Sequence, residues 1–187
     1  MPRRRRSFYP GLHHIAPRAS DTRFLFETDA ERLSFLAQLT RTFEHFEIAV
    51  VAYTLMGTHY HAIVKISDAR LATALQRLHT AYARFANRSR ERCAHLFRAH
   101  YFAREITSDE DLLGVCHYLA HNPVRAGVAP DPFSWRWASV AATAGLAPQQ
   151  IPLDIEPIRG ACGCHPDWRR HYQSFIATPR RAEQQEG

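Results

Sequence analysis

Two short stretches of this chain bring together side chains that can do chemistry. In "MGTHYHAIVKI", His59 and His61 stand two positions apart in an alternating, strand-like run. Side chains two apart in a strand point to one face, so the imidazoles sit roughly 6.5–7 Å apart at Cα and can converge on one cation. In "LLGVCHYLAHNPVRAG", Tyr118 and Asn122 are four apart in a helical pattern and share a face. A tyrosine hydroxyl can act as a nucleophile, and an asparagine carbonyl can serve as a third metal ligand. Each pattern also has an ordinary structural reading. A His-x-His can decorate a strand end, a helical tyrosine can be half-buried with a wet hydroxyl, and an asparagine can mark a helix C-terminus. His117 and His121 share another helical face and read as solvated surface. Cys162, Cys164 and His165 ("CGCH") supply only three loop donors, too few for a closed zinc site.

The elements that position these residues follow from period and punctuation. "YPGLHHIAP" reads as a first strand. Thr28 with Glu31 in "TDAE" forms a capping box, and Leu33, Leu36, Leu39 and Phe43 follow at helical spacing. "FEIAVVAYTLM" is apolar on both faces, which places it centrally in a sheet, and "THYHAIVKI" joins it through a turn at Gly57. On that second strand Tyr60, Ala62, Val64 and Ile66 make the apolar face, and His59, His61, Ile63 and Lys65 the other. A helix beginning near Ser67 or Asp68 carries Leu71, Leu75, Leu78, Tyr82 and Phe85 as its apolar stripe. Arg70, Arg77, Arg84 and Arg88 form another stripe, roughly 120° around. "AHYFAREI" is the next strand. Thr107 with Glu110 in "TSDE" then opens a helix carrying Leu112, Val115, Cys116 and Leu119. That helix is expected to end at "NPV", because a residue before proline resists the helical conformation.

The order β-α-β-β-α-β predicts an α+β, ferredoxin-like split βαβ: an antiparallel sheet with two helices on one face, plus a C-terminal helix carrying the tyrosine. Residues 9–143 form the main domain, after a flexible basic arm at 1–8. Proline and glycine punctuate 144–177, an irregular C-terminal appendage in which "DWRRHYQSFI" reads as a short helix. Residues 178–187 read as a disordered tail.

The chain has 187 residues and a net charge of +6, and Lys65 is its only lysine. Arginine's planar fork of donors suits phosphate and stacks on bases, so nucleic acid is the leading partner. A GC-rich genome would also raise the arginine share, though not the net charge. No apolar run reaches the roughly 18–20 residues that span a bilayer, and "MPRRRRSFYP" lacks the apolar stretch of a secretory signal. A cytoplasmic, nucleoid-associated protein with no membrane partner is therefore expected.

Taken together, "LMGTHYHAIVKI", "LATALQRLHTAYARFANR", "HLFRAHYFAREI", "LLGVCHYLAHNPVRAGV" and "FSWRWASV" resemble the HUH single-tyrosine transposases, and within them the REP-associated tyrosine transposases. These segments run from about Glu47 to Val140, half the chain, in the family's order. The resemblance implies that His59 and His61 are the HUH pair, Tyr118 the nucleophile and Asn122 the third metal ligand. It implies cleavage and rejoining of single-stranded DNA beside hairpins, through a covalent 5′-phosphotyrosine. Two segments depart from the pattern: Thr58 stands where asparagine is common, and "PRASDTRF" replaces the usual glycine-asparagine turn.

The implied ion is Mg²⁺ or Mn²⁺, with imidazole ligands favouring the latter. For DNA phosphates the candidates are Lys65, Arg70, Arg77, Arg84 and Arg88, with Arg3, Arg4, Arg5 and Arg6 as a mobile arm; Tyr101, Phe102, Trp135 and Trp137 are candidate base platforms. A charged stripe can equally be a solvated face, and tryptophans can equally be core. The alternative from another class is a non-catalytic DNA-hairpin-binding protein that keeps the site as scaffold. An ordinary metal hydrolase ranks last, because no carboxylate adjoins the His-x-His. Monomer and homodimer both remain open, and with them whether Tyr118 serves its own subunit's site.

Overall fold

A computed structural model describes residues 8–20, 24–92 and 95–179. Arg3, Arg4, Arg5 and Arg6, and the expected tail beyond Pro179, lie outside the described residues. Phe8, assigned to the arm from sequence, is buried in the core.

Among the described residues the order begins β1 (Gly11–Ala16), α1 (Asp29–His45), β2 (Ala49–Leu55), β3 (Tyr60–Ile66), α2 (Leu71–Ser89), β4 (Phe102–Ile106) and α3 (Asp109–Arg125). The strands form one antiparallel sheet in the spatial order β2-β3-β1-β4, the split βαβ that the element order predicts. Alternation along β3 divides the molecule in two. Tyr60, Ala62, Val64 and Ile66 join Phe35, Leu39 and Phe43 of α1 and Leu71, Leu78 and Tyr82 of α2 in one core. Ile63, with Val51 and Ala52, enters a second core built on Leu112, Val115, Cys116 and Leu119 of α3.

Local chemistry holds the first layer together. Thr28 Oγ1 accepts the Glu31 N–H while the Glu31 carboxylate accepts the Thr28 N–H, a reciprocal cap worth about 1 kcal/mol. The same carboxylate accepts two bonds from Arg90 at the end of α2, tying the helices together. At the β2–β3 turn a Cβ on Gly57 would come within 3.1 Å of the Phe24 ring, while its carbonyl accepts the N–H groups of Leu25 and Phe26. Any larger residue there would have to push the Phe24 ring aside by a few tenths of an ångström.

The structure corrects several sequence expectations. Leu33 is half exposed, and Phe35 is fully buried in its stead. At 100° per residue Phe35 falls inside the buried arc that runs from Glu31 and Thr42 through Leu39 and Phe43 to Leu36, whereas Leu33 lies about 60° beyond it. Helix α2 starts at Leu71 rather than near Ser67, because Asp68 turns the chain by accepting the Arg70 N–H; Phe85 sits at the rim of its stripe. Strand β2 is an edge strand, not a central one. Apolar residues on both sides of it report two covered faces rather than two paired edges. The chain after α3 satisfies its outer edge: Leu55 N–H donates to the Trp137 carbonyl (2.8 Å) and Ser139 N–H to the Tyr53 carbonyl (2.9 Å). A bulge at Val51 turns two consecutive side chains, Val51 and Ala52, toward the second core.

Helix α3 is capped by Ser108, whose hydroxyl accepts the Asp111 N–H, one residue later than the Thr107–Glu110 expectation. It also runs through Pro123 instead of stopping before it. Pro123 is buried, so packing compensates for the one N–H it withholds, and the Ala126 N–H still reaches the Asn122 carbonyl at 3.0 Å. The stop comes at Gly127, whose φ of 69° lets the Val128 N–H return to the Pro123 carbonyl. Finally, the stretch 144–177 is more ordered than expected. Following the short α4 (Val140–Thr143), it contains α5 (Glu156–Ala161) and α6 (Trp168–Ala177). Ile158, Trp168, Tyr172 and Ile176 belong to the second core.

Candidate active site

The site lies on the α3 face of the sheet, where β1, β3 and the last two turns of α3 meet. His61 is buried on β3, and His59 precedes the strand, two positions back on the same face. Because α3 stays helical through Pro123, Asn122 remains one turn beyond Tyr118 and both reach the imidazoles. The Asn122 side chain lies between them, with Oδ1 3.3 Å from His59 Nε2 and Nδ2 3.4 Å from His61 Nε2. The His59 and His61 rings stand 5.0 Å apart and nearly perpendicular. The half-buried Tyr118 ring lies 5.2 Å from His61, edge to face, within the same chain.

Burial and neighbouring charge favour the neutral form of both imidazoles. Burial pushes His61 well below its ordinary value, and His14, His59, Arg18 and Arg125 push the same way. His59 is lowered by burial and by Arg18, with its bond to Asn122 pulling slightly upward. Neutral imidazoles keep a lone pair for a cation, and a divalent ion also accepts an amide oxygen. His59, His61 and Asn122 therefore fit a Mg²⁺ or Mn²⁺ ion. Among the described residues no group of three or more His, Cys, Asp or Glu side chains forms a metal site. A cation here depends on the asparagine.

Three basic or imidazole residues at this site were not singled out from the sequence. His14 on β1 is buried, with Nε2 3.1 Å from His61 Nδ1 and its ring stacked 5.3 Å from that ring. The signal was available: β1 must neighbour β3 in this topology, and adjacent histidines in a strand place one on each face. Arg125 stands over the Tyr118 ring at 4.6 Å and donates to the Tyr118 carbonyl at 3.1 Å. Its position seven residues on from Tyr118 put it on the same helical stripe. Arg18 pairs with His59 across a backbone bridge where the chain continues beyond β1.

Other expected residues lie elsewhere. Lys65 is four residues further along β3, about 13 Å on by strand geometry, and pairs with Asp154 at 3.0 Å. Arg70 is engaged by Asp68 and Glu47. Arg77, Arg84 and Arg88 are exposed on α2, which covers the opposite face of the sheet. Trp137 is buried and Trp135 donates its indole N–H to the Leu55 carbonyl, so both bracket the β2 edge. Tyr101 packs against the first core. Phe102 is 51% exposed and 5.4 Å from His14, beside the site. His117 and His121 are not solvated decoration. They stack at 4.1 Å and donate from Nε2 to the carbonyls of Thr178 and Ile176 at the end of α6.

This sheet, with α1 and α2 on one face and α3 carrying a tyrosine onto the other, defines an α+β fold shared with tyrosine transposases. Among solved structures, a REP-associated tyrosine transposase bound to a REP hairpin superposes with a TM-score of 0.66 at 14% identity, over 83% of this chain and 93% of that one. No family model matches the sequence, and no curated protein matches it.

Proposed function

We propose that this protein is a metal-dependent, single-stranded DNA nicking and joining enzyme of the transposase type, acting at hairpin-flanked sites. The observation that carries this reading is the Asn122 amide set between the Nε2 atoms of His59 and His61, with the Tyr118 ring one helical turn back and 5.2 Å from His61. Support for the DNA partner comes from the shared fold, since that neighbour was solved on a REP hairpin, and from the +6 charge.

In this reading His59, His61 and Asn122 hold a Mg²⁺ or Mn²⁺ ion, which would neutralise the scissile phosphate and fix it in line with the attacking oxygen. Tyr118 Oη forms a bond to phosphorus as the phosphorus–O3′ bond breaks, and the proton lost by the phenol is balanced, through water, by the one taken up by the departing oxygen, which leaves as a 3′-hydroxyl. Arg125 beside the ring stabilises the phenolate as it develops. One phosphoester replaces another, so the released hydroxyl, or a different one, can attack phosphotyrosine and rejoin the strand. Arg77, Arg84 and Arg88, exposed on the far layer, are assigned to hairpin phosphates away from the cut.

The test is a denaturing gel with a labelled hairpin oligonucleotide and Mn²⁺. The expected result is a covalent protein–DNA band in wild type, absent from Tyr118→Phe. If the two proteins bind the hairpin equally and neither forms the band, the chain is a hairpin-binding protein without the activity.

A further inference from the structure

Four polar contacts around Asn122 form one directional chain, and its far end is a residue with no part in the reaction above. An amide nitrogen only donates, so Asn122 Nδ2 donates to His61 Nε2, which must carry its lone pair. The proton of neutral His61 is then on Nδ1, and it donates to His14 Nε2 at 3.1 Å. On the other side His59 Nε2–H donates to Asn122 Oδ1, and His59 Nδ1 accepts from the Thr58 hydroxyl at 3.1 Å. Each of these four contacts then pairs one donor with one acceptor.

We propose that His14 is a positioning residue for the metal site: it accepts the His61 Nδ1 proton and so presents the His61 Nε2 lone pair to the Asn122 and Tyr118 side. Three features make it suited to the task. His14 is held in β1, cross-strand from Ile63, so its ring falls on the imidazole face of the sheet. It is 6% exposed, which leaves little water to compete for the His61 proton. Its ring is confined by His61 at 5.3 Å, Phe102 at 5.4 Å and Tyr118 at 6.1 Å. Orientation of a ligating imidazole by an acceptor at its other nitrogen raises metal affinity, and losing such a partner typically costs about 10–100-fold. His59 differs: its outer partner, Thr58, is an exposed hydroxyl that can either donate or accept. Only His61 is pre-set.

The assignment rests on the metal reading for its purpose, but its hydrogen bond can be tested without metal. Long-range ¹H–¹⁵N spectra of the full-length, metal-free protein report each histidine's tautomer, with His61 identified by its loss in His61→Gln. His61 is expected as the Nδ1–H tautomer in wild type and in His14→Gln, whose carbonyl can accept, and as a mixture rich in Nε2–H in His14→Phe. Mn²⁺ titration should then show roughly 10–100-fold weaker binding for His14→Phe, with recovery in His14→Gln. Nε2–H His61 in the wild type overturns the proposal whether or not either variant folds. Unchanged Mn²⁺ affinity in a folded His14→Phe overturns it too. Wild type that shows the expected tautomer yet binds no Mn²⁺ supports the hydrogen bond and instead removes the metal reading.

Discussion

The two faces of the β3 strand differ in what their polar groups are for. On the α1–α2 face, Tyr60, Phe35 and Tyr82 form an aromatic cluster with ring separations of 4.8–5.1 Å. Its hydroxyls are closed off: Tyr60 meets His79 at 2.9 Å, and Tyr82 donates to the Leu25 carbonyl at 2.8 Å. On the α3 face His61, and His59 just before the strand, both bond to the Asn122 side chain, beside a half-buried Tyr118 and an exposed Arg125. One face uses its polar groups to fix its packing; the other sets two imidazoles and an amide beside a half-buried phenol. The comparison teaches that a single alternating strand can separate stability from chemistry, so mutations on the two faces should have separable effects.

The largest effect belongs to the chemical face. Tyr118→Phe should lower DNA cleavage at least about a thousandfold, as removal of a nucleophile does, with the denaturant midpoint and hairpin affinity unchanged. A fall in midpoint comparable to a core mutation would mean that Tyr118 belongs to packing. Next comes the aromatic face. Phe35→Ala should destabilise the protein by about 3–5 kcal/mol in chemical unfolding while leaving Mn²⁺ affinity of the folded fraction intact. Loss of metal affinity without loss of stability would break the separation.

Acid should strain both faces together. Loss of solvent lowers His14 from 6.5 to about 4, with Arg104 adding to the effect and Asp111 opposing it, and lowers His79 to about 3. Below 6.5 the unfolded chain binds more protons than the folded one. The stabilisation is therefore complete above that pH and declines as pH falls toward 4 for His14 and toward 3 for His79. The slope is up to about 1.4 kcal/mol per pH unit for each residue. Thermal unfolding across that window checks the sign; stability rising as pH falls would contradict the neutral imidazoles.

The smallest effect concerns the outer layer. Replacing Arg77, Arg84 and Arg88 together by alanine should weaken hairpin binding and lower its salt dependence by about one unit of slope per lost phosphate contact. Cleavage of an unstructured oligonucleotide should change little. An unchanged salt slope would make the stripe an ordinary solvated face.

Much of this layout was legible in the sequence because it depends on local period. The alternation of "HYHAIVKI" assigned both faces of β3, the capping box at Thr28 fixed the start of α1, and the spacing of Tyr118 and Asn122 put them on one face. What escaped depends on partners distant in the chain. β2 reads as central because its composition reports cover on both faces, and nothing local says that Trp137 and Ser139 complete its edge. Asn122-Pro123 reads as a stop because local sterics omit the packing that carries α3 on to Gly127. His14 could be recognised only by joining topology to register. The bonds that His117 and His121 make to the end of α6 cross more than fifty residues, so no short window contains them.

The central claim is that Tyr118 is the group that takes the 5′-phosphate. The most direct measurement is to trap the reaction with a hairpin oligonucleotide and Mn²⁺, digest the adduct with nuclease and protease, and map the modified peptide by mass spectrometry. The account predicts a nucleotide on the phenol of Tyr118 and on no other residue. DNA cleavage that leaves Tyr118 unmodified, or an adduct on a different side chain, would contradict it.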